Sequence, residues 1–191
     1  VISAGDFRKG TKFLYNKAPH VVVDFQWTKP GKGGAYIRTK MKNMINGSIF
    51  EETFGSAEKF GTPDLQYHEV QYLYADGSHY HFLDQKSYEE AEFTESQISE
   101  VMPFLKEQII YTALYFEGNP IAVTPPLFME LMVKETPPGV RGDTAQGGAT
   151  KPATLETGLQ IQVPLFINEG EIIKVDTRDS SYIERVGKKI K

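Results

Sequence analysis

Tyr67-His68-Glu69-Val70-Gln71-Tyr72-Leu73-Tyr74-Ala75-Asp76-Gly77-Ser78-His79-Tyr80-His81-Phe82-Leu83 sets two runs rich in aromatic and β-branched residues on either side of an Asp-Gly pair. Asp-Gly supplies the positive φ of a two-residue turn, so the stretch predicts a β-hairpin. The pattern recurs outward in both directions. Toward the N-terminus, Lys12-Phe13-Leu14-Tyr15 and His20-Val21-Val22-Val23-Asp24-Phe25 read as strands joined by a turn over residues 16–19. In Ala35-Tyr36-Ile37-Arg38-Thr39-Lys40-Met41 the cations alternate with apolar residues, which predicts a half-buried strand with a basic outer face. Ile45-Asn46-Gly47-Ser48 turns the chain into a further strand ending near Phe54.

Toward the C-terminus, Thr94-Glu95-Ser96-Gln97 has the form of a capping box, and Ile98, Val101 and Met102 follow as an apolar stripe. They predict a short helix that Pro103 interrupts, with Glu89, Glu90, Glu92 and Glu95 favouring its N-terminal dipole. Residues 111–116 and 121–124 flank Gly118-Asn119-Pro120 as another hairpin. Residues 128–133, 158–164, 172–176 and 182–186 are strand-like, with a Gly/Thr/Pro-rich loop expected over 137–154. Short strands at this spacing predict a mostly β chain of three consecutive small β-barrels: an SH3-like barrel over residues 1–64 and two OB-fold barrels over 65–128 and 129–191.

Composition narrows the function. The chain has 191 residues and no cysteine, which excludes disulfides, thiolate nucleophiles and thiolate metal sites. No apolar run approaches the ~20 residues of a membrane span, and Val1-Ile2-Ser3-Ala4-Gly5-Asp6 lacks the basic start of a signal peptide, so a cytoplasmic location is expected. The net charge of −4 is unevenly spread: +4 over residues 1–64, −8 over 65–128 and zero over 129–191. Residues 27–48 hold Lys29, Lys32, Arg38, Lys40 and Lys42 with no acidic residue, and Arg185, Lys188, Lys189 and Lys191 crowd the C-terminus. Such ends suit two contacts with an anionic partner.

Lys29-Pro30-Gly31-Lys32-Gly33-Gly34 lies between two predicted strands. Pro30, Gly31, Gly33 and Gly34 make a tight loop with one long cation at its tip, and flanking strand residues would carry it on the order of 15 Å from the barrel. A phosphate-binding P-loop would need Ser or Thr after Gly-Lys and a helix beyond; Gly33 and a strand stand there instead. His79 and His81 share a strand face at a spacing metal sites use, but with no recognised ligand spacing nearby they are assigned to packing or solvent, and no metal is expected. No nucleophile elbow is present, and no catalytic residue is expected.

The third segment carries the most specific pattern. Lys151-Pro152-Ala153, Gly158, Ile161-Gln162-Val163-Pro164 and Gly170 resemble the signature of the bacterial translation elongation factor P family. The Lys32 loop, the run from Tyr72 to Gly77, Val123-Thr124-Pro125-Pro126 and Lys174-Val175-Asp176-Thr177-Arg178 resemble the same family along the whole chain. The resemblance implies an L-shaped, tRNA-like outline and a non-enzymatic factor without cofactors. It implies binding to both ribosomal subunits between the P and E sites, where the factor promotes peptide bonds at consecutive prolines by positioning peptidyl-tRNA. Lys32 would be the tip lysine and the target of a modifying enzyme. Lys29, Arg38, Lys40 and Lys42 would contact tRNA or rRNA, Gly142-Asp143-Thr144 would lie near the E-site codon, and Tyr182 and Arg185 would touch the small subunit. The implied molecule is a monomer that binds no membrane. A paralogue of the family with altered duty, or a general OB-fold RNA-binding protein, stays open at this point.

Overall fold

Asn16 and Lys17 both take positive φ, which closes the first hairpin of a computed structural model that describes residues 1–140 and 148–188. The first module has strands β1 (Ile2–Ser3), β2 (Lys12–Tyr15), β3 (Ala18–Thr28), β4 (Tyr36–Asn43), β5 (Ile49–Gly55) and β6 (Lys59–Phe60). Strands β2 to β5 form one antiparallel sheet in chain order, and β1 pairs with β6. Along β4 the burial alternates as expected, with Ile37, Thr39 and Met41 inside and Tyr36, Arg38 and Lys40 outside. The core is aromatic. Phe7, Phe13, Phe54 and Phe60 pack with ring centroids 4.6 to 6.4 Å apart, an arrangement that adds edge-to-face attraction to the burial.

The second module holds β7 (Leu65–Asp76), β8 (His79–Asp84), β9 (Glu90–Thr94), β10 (Ile110–Phe116) and β11 (Asn119–Thr124). The third holds β12 (Phe128–Glu135), β13 (Thr150–Leu155), β14 (Gln160–Pro164), β15 (Glu171–Asp176) and β16 (Ser181–Lys188). Numbered within each module, both five-stranded sheets run 3-2-1-4-5. In each the third and fifth strands approach each other, which closes the sheet toward a barrel. Phe82 anchors the second core with its ring edge-on to Phe93 and Tyr111. The third core is mainly aliphatic, built on Leu131, Leu155, Val163, Ile167, Ile173 and Val175.

Two expectations need correction. The predicted helix after Thr94 is two 3₁₀ turns, Ser96–Ile98 and Met102–Phe104. The capping box is half formed, since the Thr94 N–H donates to Gln97 Oε1 at 2.9 Å. Pro103, at the start of the second turn, supplies no N–H to carry a ladder onward. Glu90 and Glu92 stand not beside a helix but on β9, whose Ala91 and Phe93 face inward. The loop expected over 137–154 is shorter, because Thr150–Leu155 forms β13 against β14. Residues 142–144, assigned above to the E-site codon, lie outside the described residues.

The modules are joined by side chains as well as by the chain. Leu14 and Met44 of the first module pack with Leu65, Leu114, Phe116 and Ile121 of the second, and Lys42 bridges to Glu100 at 2.8 Å. Phe104, from the second module's 3₁₀ turn, is buried in the core of the third. Tyr111 holds that turn: its hydroxyl donates to the Phe104 carbonyl and accepts the Lys106 N–H at 2.8 Å. Burial pushes the Tyr111 hydroxyl up to about 12. Thr157 donates to the Pro103 carbonyl at 2.6 Å, and Lys106 pairs with Glu156 at 2.9 Å.

Replacing Phe104 by alanine should cost roughly 3–5 kcal/mol and uncouple the second and third modules. Calorimetry would show a lower Tm and a thermal transition resolved into two; an unchanged single transition would refute this role. Asp84 gives a second test. The Ser87 backbone N–H and the His68 ring hold its carboxyl at about 2, below the ordinary 3.8. That lowering stabilises the fold by about 2 kcal/mol above pH ~4, and the contribution is lost as pH falls toward ~2. Urea unfolding across this range should show a shallower acid loss for Asp84→Asn than for the wild type.

Candidate functional site

Thr28 pairs with Tyr36 as the last rung between β3 and β4, so the cationic loop occupies residues 29–35. Ile37, one position from that rung, is fully buried. The arm is therefore the loop itself and not an extension of its two strands, contrary to the expectation of a strand-borne projection. Its reach from Thr28 to Lys32 is at most ~13 Å if extended. Gly33 has φ +110, which only glycine adopts readily. A Cβ added at Gly31, Gly33 or Gly34 would meet no atom within 4 Å. The glycines keep the space around Lys32 clear, and Pro30 is half-buried at the loop's entry. Lys29 and Lys32 are exposed and make no salt bridge among the described residues.

Below the loop, the outer face of the sheet is less positive than the linear count of cations suggests. Register sets Lys40 between Asp24 and Glu51, and Arg38 between Gln26 and Thr53. Arg38 reaches Glu51 at 2.8 Å and 3.0 Å through two nitrogens. Asp24 accepts the Phe25 backbone N–H and lies 3.4 Å from Lys9; these, with Lys40 nearby, hold its carboxyl below the usual range. Asp24, Gln26, Arg38, Lys40 and Glu51 line a shallow depression of ≈ 240 Å³. Lys42 does not belong to this open face, since it is half-buried and paired with Glu100 across the module junction.

Sequence reading passed over two aromatics at the loop's base. Trp27 is 49% and Tyr36 40% exposed, and they occupy neighbouring rungs, Trp27 opposite Ile37 and Tyr36 opposite Thr28. The signal was available: Trp27 is the chain's one tryptophan and precedes the Lys-Pro-Gly-Lys loop.

Tyr182 and Arg185 stand on β16, in another sheet from the Lys32 loop. Tyr182 packs partly against the third core, where burial raises its hydroxyl pKa. Arg185 lies 3.4 Å from the buried Glu171 carboxylate and 5.5 Å from the centre of the Phe166 ring. The described stem of the 141–147 segment is held by Lys151, which is buried and donates to the Pro137 carbonyl at 2.7 Å. Thr136 donates to the Pro152 carbonyl beside it. Among the described residues, the group of side chains suited to a metal lies in the second module around Asp76, His81 and Glu92, away from the loop.

Comparison with known proteins covers the chain in three consecutive blocks. Residues 3–60 match the model "Elongation factor P (EF-P) KOW-like domain", 65–123 match "Elongation factor P (EF-P) OB domain", and 129–185 match "Elongation factor P, C-terminal". Elongation factor P of Caldanaerobacter subterraneus subsp. tengcongensis is 50% identical over 97% of this chain and 100% of its own length. Those of Alkaliphilus oremlandii and Clostridioides difficile are 48% and 47% identical over the same shares. Among solved structures, the eukaryotic translation initiation factor 5A from Methanococcus jannaschii aligns with a TM-score of 0.53 over 65% of this chain and 93% of that one. At 20% identity the likeness is one of fold.

The two loop glycines separate conformation from space. Gly33→Ala should strain the loop by about 1 kcal/mol or rearrange it, whereas Gly34→Ala should be nearly neutral. Urea unfolding with amide chemical shifts across residues 29–35 would tell them apart; equal perturbation by both would refute the distinction.

Proposed function

The chain belongs to the elongation factor P family of translation elongation factors, and we propose that it acts on the ribosome by placing Lys32 beside the reacting end of the P-site peptidyl-tRNA. The observation that carries this reading is the loop: one exposed lysine between glycines whose surroundings are empty. An ammonium brings three donors and a compact charge, suited to the phosphates and hydroxyls of a tRNA CCA end. Consecutive prolines react slowly because a constrained, poorly nucleophilic group is badly aligned. A factor that fixes the donor tRNA lowers that barrier by orientation, with the ribosome as catalyst and the factor itself no enzyme.

The remaining contacts follow from charge and position. Lys29, Arg38 and Lys40 face outward and would meet tRNA or rRNA phosphates, which would replace Glu51 as the partner of Arg38. We assign Lys42 to holding the first module on the second. Gly142, Asp143 and Thr144 would approach the E-site codon on the stem that Lys151 ties, and Tyr182 and Arg185 would face the small subunit. We take the modules as 1–64, 65–128 and 129–191, with Phe128 already paired in the third sheet. An enzyme that lengthens Lys32 would extend its reach in a loop with room for the addition. We place this activity in the cytoplasm, in a monomer without cofactor; no helix among the described residues is long and apolar enough to cross a membrane.

The test is the rate of synthesis through three consecutive prolines in a reconstituted translation system. Protein from its native host should speed that message selectively over a proline-free control, and Lys32→Ala should remove most of the gain. Equal effects on both messages, or full activity of the variant, would overturn the proposal.

A further inference from the structure

The tip of the β7–β8 hairpin and the adjoining β9 bring three carboxylates and two imidazoles from three strands onto one face. His81 is opposite Glu92, and Asp76 is opposite His79. The His81 side chain is only 12% exposed, and its ring stacks on Tyr74 with centroids 4.5 Å apart at 16°. Its Nε2 lies 2.9 Å from Asp76 Oδ2 and its Nδ1 3.1 Å from Glu90 Oε1. A neutral imidazole has one N–H and satisfies one of those oxygens. The other nitrogen then presents a lone pair to a carboxylate, which requires a positive charge between them. Asp76, Glu90 and Glu92 have only histidines as ion-pair partners among the described residues.

We propose that Asp76, His81 and Glu92 form a binding site for a zinc-class divalent cation. One ligand atom from each lies within 4.8 Å of the others. Tetrahedral ligands at 2.0–2.1 Å stand ~3.3 Å apart, so movements of about an ångström in the exposed Asp76 and Glu92 side chains complete the geometry. Glu90 accepts the Nδ1 proton and leaves Nε2 to the metal, which is the usual way a carboxylate orients a ligating histidine. His79, whose Nδ1 is 3.5 Å from Glu92 Oε1, borders this group without belonging to it. The mixed nitrogen and oxygen donors favour zinc over magnesium or calcium, which take oxygen. The bound ion would staple the hairpin tip to β9.

The experiment is a zinc titration of the untagged, chelator-treated full chain near neutral pH, by calorimetry together with His side-chain nitrogen chemical shifts. One zinc per chain should bind, with a shift at His81 Nε2 and no matching response to magnesium. Asp76→Asn and His81→Gln should each weaken binding at least about tenfold, and Glu90→Gln by about 10-fold or more through its support of His81. Circular dichroism checks that each variant folds. Absence of binding at millimolar zinc overturns the proposal, as does unchanged affinity in a folded Asp76→Asn. It also fails if zinc leaves a proton in place on His81 Nε2, which would make the positive charge a proton and the site an ion pair.

Discussion

Phe104 leaves one barrel to fill another. The second module gives up a large aromatic side chain, and the third module's core includes it beside Met129, Leu131 and Val175. The turn that delivers the ring would be costly to bury alone, since its carbonyls lie outside any sheet ladder. Tyr111 removes that cost by capping the Phe104 carbonyl from within the second core, and Thr157 of the third module caps Pro103. A side chain of each core therefore depends on the other, and the two barrels fold as neighbours more than as beads on a string. The first module is joined differently, through a thin apolar contact and the partly exposed Lys42–Glu100 pair. Exposed pairs contribute little and are screened by salt, so the Lys32-bearing barrel has the softer attachment.

Much of the fold was legible because its strands announce themselves. Asp76-Gly77 and the alternation of residues 35–41 predict a hairpin and a half-buried strand, and both are present. The misreadings have physical sources. β9 escapes notice because Glu90 and Glu92 are poor strand formers, and the register against β8 compensates for them. β13 hides in a Pro- and Thr-rich stretch because Pro152 sits in a strand whose ladder survives it. The capping box after Thr94 forms only by half, and a proline nine residues on leaves room only for tight turns.

The site was legible to a different extent. A glycine-flanked lysine can be recognised from residues alone, because its exposure needs no tertiary partner. The charge of the face below it cannot be summed along the chain, since Asp24 and Glu51 arrive by strand pairing. Lys42 looks like a member of that face in sequence and is drawn off to Glu100, 58 residues away. The grouping around His81 is a tertiary product in the same sense: its members come from three strands.

The lysine-bearing loop has a thermodynamic consequence of its own. Its glycines leave the backbone many accessible states, and fixing each residue costs on the order of 1–2 kcal/mol. Seating residues 29–35 on any surface therefore spends much of what a single cation and its hydrogen bonds return. Such an arm would engage weakly and let go quickly. On the proposed reading, residence on a large partner would be set by the broader contacts of the three barrels, while the tip would sample its target in repeated short visits.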